Sequence, residues 1–121
     1  MTNGPMSEQS AQLVAEVVVP DLGQTVAFLV ALGFRVERTT QTFAVLRWES
    51  SYLFVAEDSD ALSERRWVNI RVIVPSADAM WERVAQIGGR IITTVADRPY
   101  GLRDFVVAAP GGVEIRFAQI L

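Results

Sequence analysis

The sequence contains no cysteine and no histidine. Without cysteine there is no disulfide, no thiolate nucleophile and no Cys-based zinc site. Without histidine the commonest transition-metal ligand is missing, and so is the side chain that most often moves protons near neutral pH. Ser–His–Asp and Cys–His nucleophile systems are therefore excluded. A hard-cation site built from Asp and Glu oxygens is not. Positive charge is in the minority: 11 Lys and Arg against 14 Asp and Glu give a net charge of −3. That balance speaks against a nucleic-acid surface and permits a cationic small ligand without demanding one. Long apolar runs are missing too, and nothing nears the roughly 20 residues that span a bilayer. The first ten residues, MTNGPMSEQS, lack the basic and apolar regions of a signal peptide. The expectation is a cytoplasmic protein without membrane contact, with residues 1–12 as a flexible tail.

What is present suits one globular domain. Of 121 residues, 50% are hydrophobic and 21% charged, too apolar for a disordered chain. The chain also repeats itself. Residues 17–36, VVVPDLGQTVAFLVALGFRV, align without gaps on residues 72–91, VIVPSADAMWERVAQIGGRI. Val17, Val19, Pro20, Gly33 and Arg35 meet identical residues at Val72, Val74, Pro75, Gly88 and Arg90. Internal repetition of this kind marks a fold that uses one supersecondary unit twice.

Each half reads as strand, helix and three strands. A β-branched run stops at Pro20 or Pro75. Asp21 and Ser76 sit at N-cap positions. Helices are expected over 22–32 and 77–87, with apolar stripes of Val26, Leu29, Val30 and Gly33 and of Met80, Val84 and Ile87. Gly33 and Gly88 suit the left-handed position that ends a helix. Strands are expected over 35–39, 42–48 and 51–57, then over 90–95, 103–108 and 113–119. Ser50–Ser51 and Pro110–Gly111–Gly112 mark the last hairpin turns. The expected class is α+β: two tandem βαβββ modules, 13–57 and 68–119, in a single domain 13–119 with a polar linker 58–67.

Strand parity sorts the side chains. Val17 and Val19, Leu53 and Val55, Val72 and Val74, and Val113, Ile115 and Phe117 form the apolar parity, which should lie under the helices. The mixed parity holds Glu16, Tyr52, Phe54, Asn69, Arg71, Glu114 and Arg116 and should face solvent, a partner or a pocket. Glu16 and Arg71 are repeat equivalents of opposite sign, open to pairing or to solvation.

Two stretches resemble one family, the vicinal oxygen chelate superfamily of glyoxalase I, bleomycin resistance proteins and extradiol dioxygenases. VVVPDLGQTVAFLVALGF is similar to its opening strand, Asp-Leu, helix and Leu-Gly-Phe. RPYGLRDFVVAAPGGVEIRFAQ is similar to its closing Tyr-Gly, strand, Pro-x-Gly and final strand, except that Ala109 stands where Asp is usual. The resemblance implies curled mixed sheets with the helices outside, a cavity inside and a homodimer. It also implies four metal-ligand positions, which fall here on Val14, Phe54, Asn69 and Arg116. Val and Phe cannot ligate, and Arg brings positive charge to the place of the cation. The implied function is therefore a metal-free and cofactor-free small-molecule binder, sequestering a drug or metabolite. The alternatives are a metal-independent lyase or isomerase using Glu16 or Glu114 as base, and a dimerisation module with a filled cavity. Candidate ligand contacts are Glu16, Trp48, Tyr52, Phe54, Trp67, Asn69, Arg71, Tyr100, Arg103, Glu114 and Arg116. Trp48 and Trp67 are open between pocket and core or interface, and Trp81 is expected under its helix or at a subunit contact rather than on ligand. Arg116 is open between an internal salt bridge to Glu16 or Glu114 and an anchor for an anion.

Overall fold

Pro20 and Asp21 decide where the first strand stops and the first helix begins. In the structure, a computed structural model that describes residues 14–61, 64 and 68–121, strand β1 (Ala15–Val19) leads directly into helix α1 (Leu22–Leu32). Asp21 is extended and its Oδ1 accepts from the Gln24 N–H at 2.9 Å, a cap of the kind that contributes about 1 kcal/mol. At the other end Gly33 has φ 124°, and the Phe34 N–H donates to the Leu29 carbonyl at 3.0 Å. A residue with a Cβ resists that conformation, which is why glycine stands there. The second module repeats the device. Ser76 Oγ accepts from the Ala79 N–H at 3.1 Å and starts α2 (Ala77–Gln86).

The first module continues with β2 (Arg35–Thr39), β3 (Phe43–Trp48) and β4 (Ser51–Glu57). Its sheet runs β1-β4-β3-β2, with β1 parallel to β4 and the other pairs antiparallel. The second module holds β5 (Val68–Ile73), α2, β6 (Arg90–Asp97), β7 (Leu102–Ala108) and β8 (Val113–Ile120), in the order β5-β8-β7-β6. β5 is parallel to β8. The tandem βαβββ plan, with one helix on each mixed four-stranded sheet, is the one the repeat predicts. The chain divides into two compact units at residues 62 and 63. The expected tail 1–12 and the end of the linker, with Trp67, lie outside the described residues.

The apolar parity packs where alternation puts it. Val17, Val19, Leu53 and Val55 are buried in the first unit, and Val72, Val113, Ile115 and Phe117 in the second. Burying a side chain of this size fully contributes about 1.5–3 kcal/mol. α1 meets its sheet through Leu22, Thr25, Leu29 and Leu32, whereas Val30 is 45% exposed and Val26 half-buried. The expected stripe of Val26, Leu29, Val30 and Gly33 is thus rotated. Gln24 and Thr25 are the only polar side chains of α1, and Thr25 is buried, so its composition marks a face only weakly. α2 has a polar side and behaves as expected at Met80 and Val84, while Ile87 lies past its end and is partly exposed. Trp81 packs edge-on against Phe105, with centroids 5.3 Å apart at 89°.

Two close approaches fix the ends of elements. The Leu22 N–H, at the start of α1, donates to Glu57 Oε2 at 2.9 Å. The Ala77 N–H, at the start of α2, donates to Gln119 Oε1 at 2.9 Å. In each module a polar side chain near the end of the last strand thus satisfies an otherwise orphaned helix N–H. β6 extends to Asp97, two residues past expectation, because Ala96 and Asp97 pair with Asp104 and Arg103. The hairpin is closed by Gly101 (φ 88°) and by Arg98 N–H donating to the Leu102 carbonyl at 2.7 Å. The β3–β4 turn is Glu49–Ser50 rather than Ser50–Ser51, since Trp48 pairs with Ser51. Glu49 has φ 53°, and Arg47 holds its carbonyl through Nε at 3.2 Å and Nη2 at 2.9 Å.

Candidate functional site

The faces turned away from the helices differ between the modules. In the first module β3 and β4 place Phe43, Val45 and Arg47 beside Ala56, Phe54 and Tyr52. Phe43 and Phe54 meet edge to face at 5.2 Å, and Arg47 lies 5.4 Å from the centre of the Tyr52 ring. Arg47 also lies 3.7 Å from Glu37. Glu16 is exposed on β1, in register with Phe54. This face is therefore aromatic, with charge at its margin. Trp48 has the opposite parity and packs against Phe34 at 5.1 Å, with its ring 3.2 Å from where a Cβ on Gly33 would sit. The candidate pocket tryptophan thus belongs to the helix side of the sheet.

The second module carries ionic groups on the corresponding face. β5 and β8 place Asn69 beside Glu114 and Arg71 beside Arg116. β7 adds Asp104, diagonal to Arg116, because Val106 is opposite Arg116 and Asp104 opposite Ala118. Long side chains span such diagonals. Asp104 is completely buried. Its Oδ1 accepts from Arg98 Nε at 2.8 Å, and its Oδ2 accepts from Tyr100 Oη at 2.8 Å and Arg116 Nη1 at 3.0 Å. Arg98 is itself held by the Thr94 carbonyl. Arg116 Nε donates to Asn69 Oδ1 at 3.3 Å, and Asn69 Nδ2 to Glu114 Oε1 at 3.4 Å. Burial pushes the Asp104 carboxyl upward, but the hydrogen bonds from Arg98, Tyr100 and Arg116 outweigh it and hold the group below the ordinary carboxylate value.

These contacts bear on the expectations for Arg116 and Arg103. The partner that the structure gives Arg116 is Asp104, a residue that sequence reasoning passed over along with Arg98. A signal was there. Asp104 is the one charged residue on its parity of β7, among Leu102, Val106 and Ala108, and a carboxylate in such a setting needs a partner. Arg103 points to the other side. It bridges Asp78 of α2 at 3.0 Å and Asp97 of β6 at 3.0 Å, and so ties the helix to the hairpin. Those two carboxylates push its guanidinium upward.

The structure thus brings Asn69, Arg71, Tyr100, Glu114 and Arg116 to one face of the second sheet, and Tyr52 and Phe54 to one face of the first. A shallow pocket of about 370 Å³ lined by Ile73, Val74, Pro75, Gln119 and Ile120 lies at the ends of β5 and β8 and contains none of those residues.

The four positions expected to hold a divalent metal do not fit one. Val14 and Phe54 offer no donor, and Arg116 puts a guanidinium where the closing carboxylate would be. Among the described residues no group of three or more Asp and Glu stands together as ligands would.

Residues 11–117 match the profile described as Glyoxalase/Bleomycin resistance protein/Dioxygenase superfamily. No curated protein matches the sequence. Among solved structures, the chain is similar to a bleomycin-binding protein complexed with bleomycin, with TM-score 0.77 and 16% identity over 91% of this chain and 98% of that one. It is similar to TioX from Micromonospora sp. ML1, with TM-score 0.75 and 23% identity over 92% and 99%. It is also similar to the genomically encoded fosfomycin resistance protein FosX from Listeria monocytogenes, with TM-score 0.77 and 19% identity over 93% and 94%. At these identities the likeness is one of fold.

Proposed function

The chain belongs to the Glyoxalase/Bleomycin resistance protein/Dioxygenase superfamily, and from that premise we propose that it is a small-molecule binder that works without the divalent metal of the superfamily's enzymes. The ligand is a drug or a metabolite, held stoichiometrically and released unchanged. A second copy of the chain completes the functional unit. The observation that carries this reading is Arg116. At a position expected to close a metal site, its guanidinium is bound to buried Asp104, Tyr100 and Asn69. A fixed positive charge there opposes a dication. It leaves a face of preplaced polar groups suited to orienting an organic ligand. The aromatic face of Tyr52, Phe43 and Phe54 supplies apolar area of the kind that flat ligands bury. One similar fold is that of a bleomycin-binding protein complexed with bleomycin, which fits a sequestering role.

The test is a thermal-shift screen of the full chain against glycopeptide and other cationic antibiotics, small carboxylates, phosphates, and divalent metals with a chelator control. A ligand that binds only the native state at 100 times its dissociation constant stabilises by about 2.7 kcal/mol, a shift of several degrees for a domain of this size. A shift with an organic ligand and none with metals supports the reading. A shift with nickel, zinc or manganese that a chelator reverses overturns it.

A second reading, a metal-independent lyase or isomerase, draws on Glu114, which is only 3% exposed and accepts from Asn69. A buried carboxylate is a candidate base. Under this reading a bound ligand is converted, and Glu114→Gln abolishes turnover while keeping binding.

A further inference from the structure

We propose that Arg71 and Arg116 together form a site for an oxyanion, the carboxylate or phosphate group of a small ligand, on the face of the second sheet turned away from α2. This rests on the reading of the chain as a small-molecule binder and names the chemistry its ligand carries. β5 and β8 pair in parallel with Arg71 opposite Arg116, so both side chains leave one face from backbones about 5 Å apart. Two guanidiniums set side by side repel unless an anion lies between or beside them.

The anions already on this face do not cover both. Asp104 gives Oδ1 to Arg98 and Oδ2 to Tyr100 and Arg116. Arg116 spends Nε on Asn69 and Nη1 on Asp104 and Tyr100. Its Nη2 has no acceptor among the described residues. Arg71 is exposed, and its guanidinium likewise has no acceptor among them. Among the described residues, three guanidiniums, those of Arg71, Arg98 and Arg116, thus share a face with two carboxylates, Asp104 and Glu114. The face is short of negative charge, which an oxyanion supplies and a cation worsens.

The residue type sharpens the reading. All 11 basic residues of the chain are arginine and none is lysine. Arginine presents a planar fork that matches the two oxygens of a carboxylate or phosphate. Arg116 is already held in place by Asp104 and Asn69, so little of its freedom remains to be lost on binding. Tyr100 Oη, 3.4 Å from Arg116 Nη1, is a further polar group at the edge of the site.

The experiment titrates inorganic phosphate and, separately, benzoate into the full chain at low ionic strength. Chloride at matched ionic strength is the control, and calorimetry and the thermal midpoint are the readouts. Saturable binding of either probe is expected, weakened roughly tenfold by Arg71→Gln with the unliganded midpoint unchanged, because the Arg71 side chain is exposed. Arg71→Lys keeps the charge without the fork and falls between the two. Phosphate binding alone points to a phosphorylated ligand, and benzoate binding alone to a carboxylic acid; both support the site. Absence of saturable binding beyond chloride, or equal binding in Arg71→Gln, overturns it. A cationic drug that stabilises the protein while neither probe binds also overturns the site, yet leaves the small-molecule reading standing. Turnover of an acid whose binding needs Arg71 supports the site and overturns the non-catalytic reading.

Discussion

Asp104 and Arg116 reach each other diagonally across β7 and β8, Oδ2 to Nη1 at 3.0 Å, with Asp104 completely sealed from solvent. The carboxylate answers two arginines and a tyrosine at once. It is the hub on which the polar face of the second sheet is built.

Asp104→Asn removes the charge and keeps the shape. It leaves Arg98 and Arg116, each with side chains 23% exposed, without their shared anion. Breaking a buried pair from one side costs about 3 kcal/mol or somewhat more, and the partial exposure of the arginines puts the expected loss at about 2–3 kcal/mol. Urea unfolding at neutral pH measures it. A loss well under 1 kcal/mol would mean that the network contributes little.

The same pair predicts the response to acid. Asp104 is held below its ordinary value of 3.8, so the folded state binds its proton less readily than the unfolded chain does. The stabilisation is complete above that ordinary value and disappears as pH falls from it through the lower folded value. Wild-type protein should therefore lose stability more steeply than Asp104→Asn below about pH 4, and the two curves should run parallel from pH 5 to 7. Chemical denaturation across that range decides it.

Glu49 predicts a gain. Its φ of 53° in the β3–β4 turn is a conformation that costs a residue with a Cβ about 1 kcal/mol. Glu49→Gly should raise stability by about 0.5 kcal/mol, since glycine also has more freedom to lose on folding. Arg47 still reaches the residue 49 carbonyl, because that contact is to backbone. A midpoint shift of a degree or two upward is the expected reading.

Gly33 predicts a loss. Its φ is 124°, and an added Cβ would sit 3.2 Å from the Trp48 ring. Gly33→Ala should destabilise by about 1–3 kcal/mol, with a blue or red shift of tryptophan fluorescence as Trp48 moves. An unchanged midpoint would show that the turn relaxes freely.

Much of this fold was legible in the sequence, and the reasons are local. Asp21, Ser76, Gly33 and the two prolines punctuate the chain, so the start of each helix and the end of α1 came out at the residues expected. Alternation sorted most strand side chains correctly because one face of each sheet is strongly apolar. The rotation of α1 was not legible, because its composition marks a face only weakly. The site was legible only in part. Arg116, Asn69 and Tyr100 stood out by position, but the residue that gathers two of the arginines, Asp104, is brought to Arg116 by pairing between β7 and β8. Such a diagonal is a fact of register, and no spacing along the chain announces it.

Every strand pair of each sheet joins residues of one module. A backbone cut between the modules would break no strand ladder. Each piece would carry its complete strand ladder, so strand pairing does not dictate the order of the two modules along the chain. A chain in which β5–β8 precedes β1–β4 would pair the same strands, written with the same words in the opposite order.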